Sequence, residues 1–409
     1  MGSRELVHTS SRFVLWMSFG EEISVPVSTR AQALPPYIFA RMEEDIDAIR
    51  RENRLVVDLG ISDPDLPPPN GVAAALVQAV GQPGSYRYPP YGGIDELRQQ
   101  VADWYRQRFA VNLDPTTEVL ITGGSKEALI HVALATTDPK DAVLVPDPGY
   151  PAYHIPSALF DLEEISLPLR AANHFLPDWT EITPEQWKRI RLGYLNYPNN
   201  PTGVLAPDSL WQETIDLAAR HGWTVVSDLA YVDIVYQGRA RSIMEFPGAK
   251  DVALETLTFS KSYSMQGFRL GAVVGNAKIL KAMYRVESQI NAGVYVPIQT
   301  AGIEALKLGM QADVLSQYRA RRDYVASQLA TLGFHVSIPP ATLYFWLPMA
   351  PGVTGTQFCR ALLHKAGVAL TPGAAFGPSS DRFVRLSLTE PLSLLSRAFE
   401  SWHRALPIT

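Results

Sequence analysis

Two apolar stretches of this chain run into charged residues. In TVVSDLAYVDIVY, Asp228 and Tyr231 follow the first, and in VALETLTFSKSYSMQGFRLG, Lys261 and Arg269 follow the second. A carboxylate where a buried strand runs out is costly to ionise unless a cation faces it. The spacing leaves two readings. Asp228 and Lys261 form an ion pair, or Asp228 faces a cationic ring nitrogen while Lys261, desolvated and lowered in pKa, is an amine that seeks a carbonyl.

Other strand ends carry related chemistry. TGGSKEAL passes from strand to helix through two glycines, so the backbone N–H groups around Ser125 and Lys126 can meet an anion, although an ordinary strand-to-helix turn has the same form. DPGYPAY brings Tyr150, and YPNNPTG brings two consecutive asparagines into a turn that needs no such polarity. Pyridoxal 5'-phosphate asks for a lysine Schiff base, an acidic partner for its ring nitrogen and a phosphate cradle, and these segments offer all three.

The elements that must position these residues follow from periodicity. Strands are expected at 118–122, 142–147, 163–169, 191–198, 224–231, 252–259 and 271–276, with amphipathic helical patterns between most of them. That alternation predicts an α/β domain around a mainly parallel, seven-stranded sheet flanked by helices, with ligands outside the carboxyl ends of the strands. Residues 36–53 read as a helix and VVDLG as a short strand. Beyond about residue 305 a long helix precedes short strands HVSIP, LYFWLPM and FVRLSL, a smaller α+β unit. The expected division is an N-terminal extension (1–30), a small domain (31–70 with 305–409) and a large cofactor-binding domain (71–304).

NYPNNPTG, SDLAY and TFSKSYSMQGFRLG, in this order, resemble the class I/II aminotransferases, the fold type I pyridoxal-phosphate enzymes, over roughly residues 30–405. Wording such as FPGAKDVALETLTFSKSYSMQGFRLG is closest to the LL-diaminopimelate, aspartate or alanine aminotransferase-like subgroup. The resemblance implies that Lys261 bonds to the cofactor and moves the Cα proton, and that Asp228 partners the pyridinium. Tyr231 and Asn200 then hydrogen-bond the ring hydroxyl, and Tyr150 stacks on the ring. Ser125, Lys126, Thr258, Ser260 and Arg269 hold the phosphate, and Arg385 in FVRLSL clamps the substrate carboxylate. In YRYPPYGG, Tyr88, with Tyr91 as the alternative, is similar to the tyrosine lent to a neighbouring subunit's phosphate, which implies a homodimer. Relatives have glycine where LGISDPD has Ser62, so this hydroxyl stands where the substrate carboxylate approaches.

The implied activity is transfer of an amino group from an L-amino acid to a 2-oxo acid. Elimination at Cβ or cyclisation at the same cofactor is the alternative. The substrate's distal end would meet residues 37–39, Ser62 and NAGVYVP, which hold no second arginine for a dicarboxylate. A pyridoxal-sensing regulator is disfavoured, since only about 30 residues precede the family region and no basic helix is evident.

Composition agrees with a small-molecule enzyme. The 409 residues suit a large core with a smaller one, and 36 basic against 41 acidic residues, without like-charge runs, argue against a nucleic-acid surface. The lone Cys359 cannot form an internal disulfide and reads as a small apolar residue on a helix. No His/Cys cluster has zinc spacing, so no metal is expected. The apolar RFVLWMSFG is too short for a membrane span and lacks a cleavage site, so a cytoplasmic protein is expected.

Overall fold

The structure is a computed structural model that describes residues 27–34 and 38–406. RFVLWMSFG and Tyr37 lie outside the described residues. The short helix Thr29–Ala33, capped by the Ser28 side chain, belongs to a separate compact unit.

In the main unit, helix Ile38–Arg51 leads into β1 (Val57–Asp58). Seven strands follow: β2 (Val119–Thr122), β3 (Ala142–Asp147), β4 (Glu163–Pro168), β5 (Ile190–Leu195), β6 (Thr224–Asp228), β7 (Ala253–Thr258) and β8 (Gly271–Gly275). They form one sheet in the order β2-β8-β7-β6-β5-β3-β4. The run from β7 to β4 is parallel, while β8 is antiparallel to both its neighbours. The expected mainly parallel α/β sheet is therefore present.

Its strands are apolar on both faces because helices cover both. Along β2, Val119 and Ile121 join the larger core cluster and Leu120 the one opposite, the two-residue period of a strand. Glu255 is an exception, a fully buried carboxylate on β7. Tyr105 Oη (2.9 Å), Ser227 Oγ (2.9 Å), Ser242 Oγ (2.5 Å) and the Ile243 amide (3.0 Å) all donate to it.

The remaining strands are β9 (Tyr344–Pro348), β10 (Val368–Ala369), β11 (Thr371–Pro372) and β12 (Phe383–Ser387). β1 pairs in parallel with β10, and β12 lies between β11 and β9 in an antiparallel sheet. Helices Gly355–Ala366 and Leu392–Arg404 share an apolar core with these strands, and Cys359 is buried in it. HVSIP forms no strand: Pro339 and Pro340 have no N–H to donate, and the Pro340 carbonyl is taken by the amides of Tyr236 (2.8 Å) and Gln237 (3.1 Å). The strands expected to reach residues 198, 231 and 259 stop at Leu195, Asp228 and Thr258. The last stops because the Thr258 side chain caps a short helix, Phe259–Ser262.

Candidate active site

Where β5, β6 and β7 end, their polar termini open into a cavity of about 530 Å³. It is lined by Ser62, Ser125, Lys126, Tyr150, Asn200, Asp228, Tyr231, Thr258, Ser260, Lys261, Arg269 and Arg385. These are all the residues expected to hold the cofactor or the substrate carboxylate except Tyr88 and Tyr91. NAGVYVP, expected at the substrate's distal end, instead contributes Asn291, Val294 and Tyr295 to a second cavity of about 630 Å³ that shares Lys126 and Arg269.

Asp228 is the last residue of β6 and 4% exposed. Its carboxylate accepts hydrogen bonds from Tyr153 Oη (2.8 Å) and from Thr256 Oγ1 (3.0 Å), the residue in register on β7. Burial pushes its pKa up, against the lowering effect of those two hydroxyls. Among the described residues no ion pair involves Asp228, so the carboxylate has hydroxyl partners and no cation. Tyr153 is held in place by stacking on Tyr194, with centroids 4.9 Å apart.

Lys261 does not pair with Asp228. Its Nζ donates to the Ser62 carbonyl at 2.6 Å. Burial pushes the amine's pKa down, a shift that Tyr344 and Asp63 oppose and Arg385 and Arg269 reinforce. The ion-pair alternative is not what the fold builds: a desolvated amine and an unneutralised carboxylate face one cavity.

The end of the cavity at Ser125 is shaped by glycine. Helix Ser125–Thr136 begins after Gly124, which offers no side-chain cap, so its first amides are open to an anion. Gly124 has φ +103°, and a Cβ there would lie 2.6 Å from Arg269 Nη2. Arg269 itself adopts φ +55°, with Nη1 donating to the Gln266 carbonyl at 3.0 Å. Thr258 Oγ1 accepts the Ser260 amide (3.2 Å) and donates to Ser260 Oγ (3.1 Å). An anion with several oxygens fits this helix start, guanidinium and pair of hydroxyls. An open carboxylate, a desolvated lysine and an anion cradle in one cavity fit pyridoxal phosphate.

The other end belongs to Arg385 on β12. Nη1 donates to Asn200 Oδ1 (3.0 Å) and Nη2 to the Gly60 carbonyl (2.7 Å), and the guanidinium lies over the rings of Tyr344 (4.3 Å) and Phe376 (4.8 Å). Asn200 is aimed by its neighbours. Asn196 Oδ1 accepts the Asn200 amide (2.7 Å), its Nδ2 donates to the Asp228 carbonyl (2.7 Å), and Asn199 folds the turn through Thr202. The Ser62 segment is tied down by Gln266 Nε2 on the Pro64 carbonyl (2.9 Å) and by a two-pronged Arg321–Asp65 pair (2.6 and 2.8 Å).

Tyr88 is 87% exposed and outside this cavity, and Tyr91 lines a separate one of about 850 Å³. Tyr153, Asn196, Thr256, Gln266 and Tyr344 escaped the sequence reading. Thr256 had a signal, two residues before Thr258 and so on the same strand face. Tyr344 had none, because its partner Tyr231 is 113 residues away. Behind the cradle Glu127, His131 and Glu287 gather. His131 Nδ1 bonds Glu287 (2.8 Å), and Glu127 accepts the Gly123 amide and Asn291 Nδ2 (both 3.1 Å).

The fold, with a strand-end lysine, aspartate and anion cradle, defines a pyridoxal-phosphate-dependent transferase. The chain belongs to the aminotransferase class I and II family, whose profile matches residues 54–400. It is 41% identical over 380 residues to the LL-diaminopimelate aminotransferase of Moorella thermoacetica, covering 92% of this chain and 97% of that one. The enzyme of the same name from Dehalococcoides mccartyi is 42% identical over 370 residues, covering 89% and 95%. Among solved structures, BacF from Bacillus subtilis superposes with a TM-score of 0.90 at 30% identity, covering 94% of this chain and all of that one. A probable N-succinyldiaminopimelate aminotransferase from Thermus thermophilus gives 0.85 at 35% identity, covering 90% and 100%.

Proposed function

We propose that this chain binds pyridoxal phosphate and moves an amino group from LL-diaminopimelate to a 2-oxo acid, with alanine and aspartate as the other candidate donors. The observation that carries the reading is the pairing of an uncompensated Asp228 with a desolvated Lys261 in one cavity. Asp228 would hold the ring nitrogen, Tyr231 and Asn200 the ring hydroxyl, and Tyr150 the ring face. Ser125, Lys126, Thr258, Ser260 and Arg269 would hold the phosphate. When bound, the cofactor supplies an aldehyde carbon and a ring that delocalises charge from the substrate's Cα.

The protein's own groups do the rest. Arg385, rigidly held by Asn200 and Gly60, grips the α-carboxylate, and Ser62 lies beside that site. Lys261, whose burial favours the neutral amine, takes and returns the Cα proton. The arginines lining the cavity, among the described residues, are Arg269 and Arg385, both already assigned to other groups, while Glu43 adds a carboxylate to the lining. An acid there supports a donor with a distal ammonium over a plain dicarboxylate, in line with the names of the relatives.

The exposed Tyr88, assigned with Tyr91 as the alternative to a neighbouring subunit's phosphate, supports a homodimer. The small domain is assigned to 31–70 with 305–409 and the large one to 71–304. No helix among the described residues is long and apolar enough to cross a membrane, and a cytoplasmic site of action is proposed. Incubation with pyridoxal phosphate, LL-diaminopimelate and 2-oxoglutarate tests the reading. Glutamate formation is expected. Ammonia release without glutamate would favour elimination instead.

A further inference from the structure

We propose that Tyr344 is a positioning residue that links the carboxylate clamp Arg385 to Tyr231 and Lys261, so that filling the clamp changes which protons the other two can use. The inference rests on the cofactor site proposed above. Tyr344 starts β9, where it is diagonal to Arg385 of β12 in an antiparallel pair that matches Arg385 with Trp346 and Ser387 with Tyr344. This register puts the guanidinium carbon 4.3 Å from the Tyr344 ring centroid. The ring meets Tyr231 edge-on at 5.5 Å, and the two phenol oxygens are 2.6 Å apart. Tyr344 is 1% exposed yet lines the cavity with Lys261.

The groups facing this phenol are Arg385 from β12, Lys261 after β7, Tyr231 after β6, Ser62 after β1 and Tyr318 from helix Ala312–Thr331. Burial alone would push the phenol up, but Arg385 and then Lys261 more than offset it, with the Ser62 and Tyr231 hydroxyls acting the same way. Tyr231 is pushed well up by burial and then by Tyr344. Tyr344 is therefore the more acidic partner.

A hydrogen-bonded pair of hydroxyls has a direction. With Tyr344 as acceptor, Tyr231 spends its O–H on Tyr344 and faces the cavity as an acceptor. A substrate carboxylate on Arg385 offsets the guanidinium's charge and weakens the field that favours that state. Tyr344 then holds its proton and donates to Tyr231, which frees the Tyr231 O–H for the cavity. The change reaches Lys261 because an anionic Tyr344 raises its proton affinity. Each proton gained at Tyr344 Oη favours release of one from Lys261 Nζ. Offsetting Arg385 acts directly on the amine in the opposite sense, but Tyr344 is the larger of the two influences, so the amine is left neutral when substrate is present.

The test uses the full-length chain with propionate, a carboxylate without an amino group. Without cofactor, phenolate absorbance in the near ultraviolet should show an early-titrating phenol in the wild type that Tyr344→Phe lacks, and propionate should raise its midpoint by about one pH unit. With pyridoxal phosphate, the pH midpoint of the visible band should fall with propionate in the wild type, and Tyr344→Phe, left with only the direct effect of offsetting Arg385, should lose that fall. Tyr344→Phe keeps the ring under Arg385, so KM for the donor should stay within about threefold, whereas Tyr344→Leu should raise it about tenfold. Identical near-ultraviolet titrations of wild type and Tyr344→Phe, or a full propionate effect in Tyr344→Phe, would overturn the proposal. A wild type with no visible band after cofactor addition would instead overturn the cofactor reading, with the near-ultraviolet comparison still deciding Tyr344.

Discussion

Asp228 and Lys261 stand at the ends of neighbouring strands without forming an ion pair: the carboxylate accepts hydrogen bonds from the Tyr153 and Thr256 hydroxyls, and the Lys261 amine donates to the Ser62 carbonyl. Direct pairing would neutralise both groups. Keeping them apart leaves one to meet a cation and the other to act as an amine.

Asp228→Asn should lower turnover by roughly 10²-fold or more and weaken cofactor binding, because an amide cannot hold a cationic ring nitrogen. In the wild type, burial raises the Asp228 pKa. Cofactor affinity should therefore fall as the pH drops through that raised range, a dependence Asp228→Asn should lose. Fluorescence titration of cofactor binding across pH reads both effects.

Burial lowers the Lys261 pKa, so covalent capture of pyridoxal phosphate should rise with pH at values below those of a free lysine. The rate of appearance of the visible band follows this. Lys261→Ala should bind the cofactor only reversibly, and borohydride should leave none on the chain.

Gly124→Ala combines a strained φ of +103° with a Cβ 2.6 Å from Arg269 Nη2. A destabilisation of about 1–2 kcal/mol is expected from the backbone. Displacing Arg269 should add a rise in the cofactor Kd. Thermal melts with and without pyridoxal phosphate separate these: the variant should gain much less from the cofactor than the wild type.

Arg385→Lys keeps the charge but loses the planar fork that grips a carboxylate and touches both Asn200 and Gly60. KM for the amino donor should rise about 10²-fold, with a smaller fall in kcat. Steady-state kinetics over both substrates checks the split.

Burial raises the Glu255 pKa from 4.5 to about 7, against its four hydrogen bonds. Between those values the folded chain binds more protons than the unfolded one, so stability falls as pH rises through the window, by up to roughly 3 kcal/mol. Glu255→Gln should flatten that slope, read from denaturant midpoints between pH 5 and about 8.

The strand-end chemistry was legible early because it is local. Apolar runs of strand length, each followed by Asn, Asp-x-x-Tyr or Ser-Lys, place polar groups at the carboxyl edge of a parallel sheet whatever the details of packing. Less was legible at HVSIP, where two prolines outweighed the alternation, and at the strand ends, where caps intervene sooner than apolarity suggests.

By itself, then, the sequence determined the α/β sheet, the lysine, aspartate, arginine and glycine set around one cavity, and the family. These follow from short-range periods and turns. Tertiary structure alone decided the partnerships: Tyr153 and Thr256 on Asp228, the Ser62 carbonyl under Lys261, and Tyr344 between Tyr231 and Arg385. Those contacts join residues from 28 to 199 positions apart. They depend on sheet register and on how two cores close over one edge, and neither is written in any local pattern.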